Sequence, residues 1–236
     1  MKIAVFSGTS DGRELCGFLA ANGHDVSVYV ATEYGASLMS GITVHVGRLN
    51  AAEMAVAVLS YDVVIDATHP YAAEATRNIR AACEKANIKY LRLAREETEY
   101  EGCISVLDAG AAAEYLKNTS GRIFVTTGSK ELAAFEPVGD RVTARVLDTA
   151  AVREKCAGMA IDCIMYKMPP YSYEDNLKDF KSSGYLVTKD SGTAGGTSEK
   201  LSAAKALGMT VVMIERPDTG RGGYSLAELK TMLKKD

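Results

Sequence analysis

Short apolar runs rich in β-branched residues alternate with amphipathic helical stretches along almost the whole chain. Residues 2–6 and 63–67 are typical of buried strands, and residues 12–22 and 72–86 have the spacing of helices that follow them. Strands that alternate with helices in this way predict a parallel sheet with helices on both faces. We therefore expect an α/β protein built from Rossmann-like, doubly wound parallel sheets.

A charged segment at residues 94–102 interrupts this alternation, and a second series of strands and helices follows it. Such a break is typical of a domain boundary. The pattern predicts residues 1–95 as an N-terminal dinucleotide-binding α/β domain and residues 96–236 as a C-terminal α/β domain. We expect the second domain to close a ligand cleft between the two, where it contacts the substrate.

The composition of the 236 residues disfavours several classes of protein. Lys and Arg number 27 against 30 Asp and Glu, so the net charge is −3 and no basic surface for nucleic acid is expected. No apolar run approaches the roughly 18–20 residues that span a bilayer, which argues against a membrane protein. The chain turns polar soon after its first strand, which disfavours a secretory signal peptide.

Cysteine and histidine usage favours the cytoplasm and disfavours a metal site. The five cysteines form no C-x-x-C pair, as is usual in a reducing compartment. The histidines, His24, His45 and His69, are too far apart in sequence for the ligand spacing of a zinc site. We expect a cytoplasmic protein without a protein-bound metal, and the sequence does not indicate an oligomeric state.

The turn after the first predicted strand carries glycines and hydroxyls at residues 7–12 (S-G-T-S-D-G). In open parallel sheets ligands bind at the carboxyl ends of the strands, and free N–H groups at a helix start attract phosphate. Gly8 and Gly12 let the backbone approach a ligand, and the hydroxyls of Thr9 and Ser10 add donors. The alternative is a plain helix start that Asp11 caps. We predict a phosphate site in this turn.

The same residues also spell G-x-S-x-G, the nucleophile elbow of α/β-hydrolases. In that interpretation the chain is a serine hydrolase with Ser10 as the nucleophile and Asp66 and His69 as its triad partners. Two features disfavour it: the elbow normally follows a central strand well inside the domain, and Asp66 and His69 are close together across one turn. A further alternative is a non-catalytic module that senses a dinucleotide.

A second turn, after the predicted strand at residues 63–67, contains Thr68, His69, Pro70 and Tyr71. Pro70 suits the first position of the next helix, because the N–H that proline lacks would be unpaired there. One interpretation is that Thr68 or His69 merely caps this helix. The functional interpretation places Thr68 and His69 on a cofactor and directs Tyr71 toward the cleft.

Two strand ends in the second half of the chain carry similar chemistry. Residues 191–196 (S-G-T-A-G-G) repeat the S-G-T-x-x-G pattern of the first turn, and Lys189 and Asp190 precede them. Residues 126–130 (T-T-G-S-K) form another hydroxyl-rich strand end, but the G-x-x-x-x-G-K-[ST] pattern of a P-loop does not occur. A flexible surface loop is the alternative for the glycine-rich segment. We predict an anion-binding loop in each half.

Four segments resemble the precorrin-6A reductase family of cobalamin biosynthesis: SGTSDGREL, VIDATHPYAAEAT, TTGSKEL and TKDSGTAGGTSEKLSAA. The resemblance implies two Rossmann-like domains with a nicotinamide cofactor in the cleft. It also implies hydride transfer to one carbon–carbon double bond of a tetrapyrrole. Residues 8–12 and 68–70 match the cofactor loops of the family, and residues 189–196 match the opposing wall.

The choice of cofactor depends on the end of the second predicted strand, where a site that prefers NAD usually has Asp or Glu. Here residues 30–33 read V-A-T-E, so the carboxylate of Glu33 comes late. Arg48, at the end of the third predicted strand, is placed to approach a 2′-phosphate. We therefore predict NADPH, with NADH as the alternative.

Together, the residues and the resemblance give two sets of candidate binding residues. The cofactor-binding set is Gly8, Thr9, Ser10, Asp11, Gly12, Thr32, Arg48, Thr68, His69 and Pro70. The set expected to face the tetrapyrrole is Thr127, Gly128, Ser129, Lys130, Asp190, Ser191, Gly192, Thr193, Gly195 and Gly196. The carbon next to the hydride acceptor must be protonated, so Tyr71 and Lys189 are candidate catalytic residues, with water as the alternative donor. The sequence does not indicate whether the substrate carries cobalt.

Overall fold

The computed structural model describes residues 1–95, 101–192, 195–217 and 222–235. The chain divides into two compact units, Met1–Glu96 together with Pro217–Asp236, and Glu97–Arg216. Each unit contains one parallel sheet, and helices follow its strands. This is the doubly wound α/β architecture that the sequence predicts.

The sheet of the first unit has the strand order β3-β2-β1-β4-β5, and its pairings are parallel. Its strands are β1 (Lys2–Ser7), β2 (Asp25–Val30), β3 (Thr43–Val46), β4 (Val63–Ala67) and β5 (Lys89–Arg92). The central strands β1 and β4 are buried along nearly their whole length, which explains why their sequences are continuously apolar. After β1 the chain continues to β2 on one side, and after β4 it continues to β5 on the other. The topological switch point, where the direction of strand addition reverses, therefore lies between β1 and β4.

The helices of the first half are α1 (Ser10–Ala21), α2 (Glu33–Ser37), α3 (Ala51–Ala57) and α4 (Ala73–Ala86), with a 3-10 helix at Val58–Ser60. A capping box begins α3, because Asn50 Oδ1 accepts the Glu53 N–H and the Glu53 carboxylate accepts the Asn50 N–H. Helix α1 ends as predicted, since Gly23 adopts the positive φ of 70° that this position requires. Leu19 of α1 and Ile79 of α4 pack on opposite faces of the sheet.

The sheet of the second unit has the order β6-β11-β10-β7-β8-β9, again with parallel pairings. Its strands are β6 (Ile104–Val106), β7 (Ile123–Val125), β8 (Val142–Val146), β9 (Cys163–Tyr166), β10 (Tyr185–Lys189) and β11 (Thr210–Ile214). The switch point of this sheet lies between β7 and β10, because the chain leaves these neighbours in opposite directions. These strands form the second series of strands and helices that the sequence predicts after the charged segment.

The helices of the second unit are α5 (Ala109–Lys117), α6 (Ala150–Ala157), α7 (Tyr173–Phe180) and α8 (Thr197–Ala206). A kinked 3-10 segment at Leu132–Arg141 was not among the predicted elements. It buries Leu132, Phe135 and Val138, which recur every three residues, the period of a 3-10 helix. No helix in the part of the chain that the structure describes is long and apolar enough to cross a membrane.

The C-terminal segment belongs to the first unit, whereas the sequence pattern predicts all of residues 96–236 as the second domain. Tyr224 forms a parallel bridge with Leu93, next to β5, and α9 (Leu226–Met232) then packs on α1. Leu229 and Leu233 are buried in the core of the first unit, and the carbonyl of Leu233 lies 2.7 Å from His24 Nε2. The apolar face of α9 therefore packs against α1.

Candidate active site

The predicted loops of the first unit meet at the switch point of its sheet. One follows β1 and the other follows β4, and Thr9 Oγ1 donates a hydrogen bond to the carbonyl of Ala67 at 3.2 Å. Strands β1 and β4 are direct neighbours in parallel register, so their carboxyl ends coincide. The structure thus brings together two segments that are almost sixty residues apart, at the place where open α/β sheets bind ligands.

The turn after β1 is shorter than the sequence suggested. Helix α1 begins at Ser10, so only Gly8 and Thr9 separate it from the strand. Thr9 is the N-cap residue, and its hydroxyl oxygen accepts the Gly12 N–H at 3.0 Å. The alternative in which Asp11 caps the helix is therefore wrong, because Asp11 already lies within the first turn. A strand that passes directly into a helix start is the geometry that presents N–H groups to a phosphate.

Gly8 and Gly12 have different structural roles. A Cβ added to Gly12 would lie 2.6 Å from Ser7 Oγ and 3.0 Å from the Cβ of Ala67, so glycine is required there for α1 to pack against the strands. A Cβ added to Gly8 would meet nothing within 4 Å. Gly8 is thus not required by packing, and the space next to it is open. Ser7 Oγ is buried and has no hydrogen-bond partner among the described residues.

Ser10 and Asp11 are held in place by Arg95. Arg95 Nε donates to Asp11 Oδ2 at 2.7 Å, and its Nη2 donates to Ser10 Oγ at 3.1 Å. Ser10 Oγ in turn donates to Asp11 Oδ1 at 3.1 Å. Arg95 is almost buried, so this pairing orders the first turn of α1. No local sequence pattern identifies Arg95, which stands at the start of the charged segment.

A buried network under the loop after β4 positions Thr68. Asp66, which is fully buried, accepts the backbone N–H and the hydroxyl of Thr68 at 3.0 and 2.6 Å. Arg92 Nη1 donates to Asp66 Oδ1 at 2.5 Å and to Thr68 Oγ1 at 3.1 Å. Tyr90 donates its hydroxyl to Asp66 Oδ2 at 3.0 Å, and burial and the charge of Asp66 raise the pKa of Tyr90. Thr68 is therefore fixed by its neighbours and does not cap the next helix.

The rest of this loop lies outside helix α4, which begins at Ala73 without a side-chain cap. Pro70 is thus not the first residue of the helix, as the sequence suggested, but a buried residue of the loop. His69 Nδ1 accepts the Tyr71 N–H at 3.3 Å, and their rings lie 5.7 Å apart. Both side chains are partly exposed at the carboxyl edge of the sheet.

The groups proposed for a serine hydrolase are engaged elsewhere. Ser10 Oγ interacts with Asp11 and Arg95, and both carboxylate oxygens of Asp66 accept hydrogen bonds from other residues. A triad needs Asp66 to orient the imidazole of His69. The geometry therefore does not favour the hydrolase interpretation.

Thr32 and Arg48 follow neighbouring strands on the other side of β1. Thr32 caps the short helix α2 through the Gly35 N–H, and Arg48 is exposed just after β3. The ends of β2 and β3 are joined because the Gly47 N–H donates to the carbonyl of Val30. Both side chains are thus presented at the same carboxyl edge as the turn after β1.

The second unit repeats this arrangement at its own switch point. Thr126, at the end of β7, donates its hydroxyl to Thr188 Oγ1 of β10 at 2.9 Å. The loops that follow these two strands hold the residues expected to face the tetrapyrrole. Thr127 is buried with no partner for its hydroxyl among the described residues, and Gly128 has a positive φ of 84°. Ser129 is partly exposed and Lys130 is exposed.

The late loop begins with an ordered turn. Asp190 Oδ1 accepts the Gly192 N–H at 3.0 Å, and Thr197 Oγ1 accepts the Ser191 N–H at 3.0 Å. Gly192 and Gly196 both have a φ of 72°, in the left-handed region that favours glycine, and the Gly195 N–H donates to the carbonyl of Gly192. Thr193 lies outside the described residues.

The charged residues beside this loop are paired within the second unit. Lys189 Nζ donates to Glu131 Oε1 at 2.7 Å, so a substrate carboxylate would have to share this cation. Asp190, with 1% of its surface exposed, pairs with Arg216 at 2.9 Å. The sequence predicts the cation at Lys189 but neither of these partners, because both pairs join distant parts of the chain.

Lys200 is a further buried charged residue that the sequence interpretation did not single out. It is 8% exposed, and burial, together with the charge of Arg145, lowers its pKa to about 8. A signal was present in the sequence, since Lys200 lies three residues after Thr197 and three before Ala203, in the row that α8 buries. The described residues contain no cluster of three or more His, Cys, Asp or Glu side chains placed to hold a metal ion.

Comparison with known proteins gives consistent matches along the chain. Residues 2–234 match the family described as precorrin-6x reductase CbiJ/CobK. The chain is 34% identical to the cobalt-precorrin-6A reductase of Priestia megaterium over 230 residues, which cover 91% of this chain and 90% of that protein. It is 32% identical to the cobalt-precorrin-6A reductase of Methanothermobacter thermautotrophicus, over 96% of this chain and 80% of that protein. A solved structure described as CobK precorrin-6A reductase has the same fold, with a TM-score of 0.85 at 23% identity over 99% of this chain and 96% of that chain.

Proposed function

The chain belongs to the precorrin-6x reductase family, and on this premise we propose that it reduces one ring double bond of precorrin-6A or of its cobalt form. Members of the family are oxidoreductases that act on a corrin precursor, and a nicotinamide cofactor is general among them. The observation that carries the proposal is the family match, which runs from residue 2 to residue 234.

The loops of the first unit fit a dinucleotide. The turn after β1 is short, the space beside Gly8 is open, and the buried hydroxyl of Ser7 has no partner among the residues described. We assign the diphosphate to residues 8–12, with the loop at residues 68–70 on the other side of the switch point. This placement follows the rule for open α/β sheets.

NADPH is the proposed cofactor. The end of β2 carries Thr32 rather than a carboxylate, and Glu33 lies within α2. Arg48 is exposed at the same edge and supplies a cation for a 2′-phosphate. Since an NAD site would use an acid at the end of β2 to bind the ribose hydroxyls, the residues present suit NADPH better than NADH.

The reaction needs a hydride and a proton. When bound, the nicotinamide supplies the hydride to one carbon of the double bond and is itself oxidised. The chain must then deliver a proton to the neighbouring carbon. We propose Tyr71 Oη and Lys189 Nζ as the groups that hold it, and Lys189 is ion-paired with Glu131 at 2.7 Å.

The second unit is assigned to the tetrapyrrole. Its two loops supply backbone and hydroxyl donors for the carboxylate arms of the ring, from residues 127–130 and 190–196.

Free cysteines are usual in a reducing compartment. The five cysteines of the chain are all unpaired, which supports a cytoplasmic location: Cys16, Cys83, Cys103, Cys156 and Cys163.

The test is an anaerobic assay of cofactor oxidation with precorrin-6A and with cobalt-precorrin-6A as substrates. We expect oxidation of NADPH that depends on the tetrapyrrole, and a lower Michaelis constant for NADPH than for NADH. Absence of turnover with both tetrapyrroles, in protein that binds NADPH, would instead identify a dinucleotide-sensing module.

A further inference from the structure

Apolar side chains are exposed at the carboxyl edge of the second unit's sheet. Met168, in the loop after β9, is 38% exposed, and Pro169 and Pro170 next to it are exposed as well. Leu147, which directly follows β8, is 40% exposed. Single exposed apolar residues are common on protein surfaces, but a group of them at a ligand-binding edge requires an explanation. We call these four residues the apolar rim.

The four residues share one place because β8 and β9 are neighbours in parallel register. Val146 lies beside Tyr166, and the Lys167 N–H donates to the carbonyl of Val146 at 3.0 Å. The carboxyl ends of the two strands therefore coincide. The next strand of the sheet is β7, whose loop at residues 127–130 is assigned to the tetrapyrrole. Since neighbouring strands are about 4.8 Å apart, the ends of β7 and β9 are separated by about 10 Å.

The loop after β9 is tied down at both of its ends. Tyr171 Oη donates to the carbonyl of Lys167 at 2.8 Å, which closes a turn around three residues of the rim. Lys167 Nζ binds two carboxylates of α7, Asp175 at 3.1 Å and Asp179 at 3.2 Å. Both prolines of the rim restrict the loop further, because the ring of proline fixes φ.

The buried Arg145 supports the same loop from the core of the unit. Its guanidinium lies 3.8 Å from the centroid of the Tyr171 ring and donates to Asp179 and Asn176 at 2.8 Å each. Asn176 is fully buried, and Arg145 is nearly so. A guanidinium that stacks on an aromatic ring and pairs with a carboxylate stabilises the groups it joins. The rim is therefore presented by a preorganised loop, as a binding site requires.

The rim offers few polar groups to a ligand. Proline has no N–H, so backbone donors are missing at residues 169 and 170. The charged neighbours of the rim are paired, Lys167 with the carboxylates of α7 and Asp148 with Arg153 at 2.7 Å. The part of a ligand that lies here is therefore expected to be apolar rather than ionic.

The loops on the neighbouring strands have the opposite character. Residues 127–130 after β7 and residues 190–192 after β10 carry hydroxyls and glycines. A tetrapyrrole has both kinds of surface, because its carboxylate arms leave the ring at the periphery and the faces of the ring are apolar. The arms suit the ends of β7 and β10, and a face of the ring suits the ends of β8 and β9.

We propose that the apolar rim is the surface on which one face of the tetrapyrrole ring lies. The inference rests on the proposed function and adds to it contacts with the ring itself, outside the two loops assigned to its arms. Covering the exposed parts of Leu147 and Met168 with the ring supplies binding free energy that does not depend on charge. The loop is ordered before the ligand arrives, which lowers the entropic cost of binding.

The test compares Met168→Gln and Leu147→Gln with the control Leu207→Gln, which changes an exposed leucine at the end of α8. We expect each rim variant to raise the Michaelis constant for the tetrapyrrole by about five- to thirtyfold, the effect of losing one apolar contact. The kcat and the Kd of NADPH should stay within about threefold of the wild type. The loss should be the same at low and at high NaCl concentration, because salt does not screen an apolar contact.

The control Leu207→Gln should keep the Michaelis constant of the wild type. All three leucine and methionine side chains are exposed, so urea unfolding should give the same midpoint for the wild type and the variants.

A binding measurement separates this inference from the proposed function. Protein labelled with 13C at the methionine methyl groups is titrated with uroporphyrin, an aromatic tetrapyrrole polycarboxylate. A methyl group that lies against the face of an aromatic macrocycle shifts upfield. We expect this shift for Met168, whose signal is the one missing in Met168→Gln, and none for Met159, which precedes β9. The shift in a protein without reductase activity would support the rim and contradict only the proposed reaction.

Several results would overturn the assignment. These are a wild-type Michaelis constant in both rim variants, a loss that disappears at high salt, and no upfield shift of Met168 with uroporphyrin in excess. Weaker NADPH binding in Met168→Gln, with the tetrapyrrole unaffected, would give the rim to the cofactor. A wild-type dimer that dissociates in Met168→Gln, measured by sedimentation, would give it to a second copy of the chain.

Discussion

Arg92 donates to Asp66 at 2.5 Å across the ends of β5 and β4, with 4% and 0% of the two side chains exposed. The same carboxylate accepts the backbone N–H and the hydroxyl of Thr68, so the ion pair fixes the start of the loop after β4. Loss of either partner would leave the other charge buried without a counter-charge, which strongly destabilises the folded protein.

Asp66→Asn is expected to lower the free energy of unfolding by about 3–5 kcal/mol, because it leaves the guanidinium of Arg92 buried without a counter-charge. Urea unfolding measures the change. Asp148→Asn is the matched control: it breaks the exposed pair with Arg153 and should leave the unfolding midpoint essentially unchanged. Equal effects in the two variants would show that burial of the Asp66 pair does not matter.

The two glycines of the turn after β1 should respond differently to substitution. Gly8→Val is expected to weaken dinucleotide binding at least tenfold with little change in stability, because its side chain enters open space assigned to the phosphates. Gly12→Ala should instead destabilise the fold by about 1–3 kcal/mol through its clash with Ser7 and Ala67. The affinity for NADPH is measured by titration and the free energy of unfolding by urea denaturation, for both variants. Unchanged NADPH affinity in Gly8→Val would remove the phosphate assignment.

The pair formed by Lys189 and Glu131 provides a test of the substrate loop. Lys189→Ala should raise the Michaelis constant for the tetrapyrrole by about ten- to a hundredfold while the Kd of NADPH stays within about threefold. Glu131→Gln removes the carboxylate that pairs with Lys189, so it should not raise the Michaelis constant for the tetrapyrrole. If Lys189→Ala abolishes NADPH binding and spares the substrate, the late loop belongs to the cofactor.

Burial of Lys200 makes a prediction about stability and pH. The folded protein lowers the pKa of this lysine from 10.5 to about 8, so between these values the unfolded chain binds more protons. The stability of the wild type relative to Lys200→Met should therefore rise as the pH increases from about 8 to 10.5, and the full difference is about 3 kcal/mol. Below pH 8 the Met variant should be the more stable protein.

Urea unfolding at pH 7 and near pH 10 checks this. All other titrating groups are common to the two proteins, including the buried Cys16 thiol, whose pKa burial raises to about 12. The difference between the two proteins thus isolates Lys200. A difference that does not depend on pH would mean that the lysine is not buried as a cation.

The fold was predictable because its determinants are local. Buried parallel strands such as β1 and β4 are continuously apolar, and capping residues such as Asn50 and Ser225 mark where helices begin. The return of α9 to the first unit was not predictable, since its buried Leu229 has the pattern of any amphipathic helix and its partner α1 lies some two hundred residues earlier.

The candidate site was predictable only in part, for a related reason. Glycines and hydroxyls at strand ends, such as Gly8 and Thr9, identify the loops from sequence alone. Ion pairs such as Arg95 with Asp11 are formed between segments that approach each other only in the folded sheet. A charged residue has no local pattern that identifies its partner, so the electrostatics of the site required the structure.

The path of the chain through the two units also sets the order in which they can be completed during synthesis. The second unit, Glu97–Arg216, is continuous and can close its core as soon as it has left the ribosome. The first unit begins earlier but lacks Tyr224 beside β5 and α9 on α1 until the last segment emerges. The half that is translated first is therefore finished last, and the nascent chain must keep the face of α1 that binds Leu229 and Leu233 available until then.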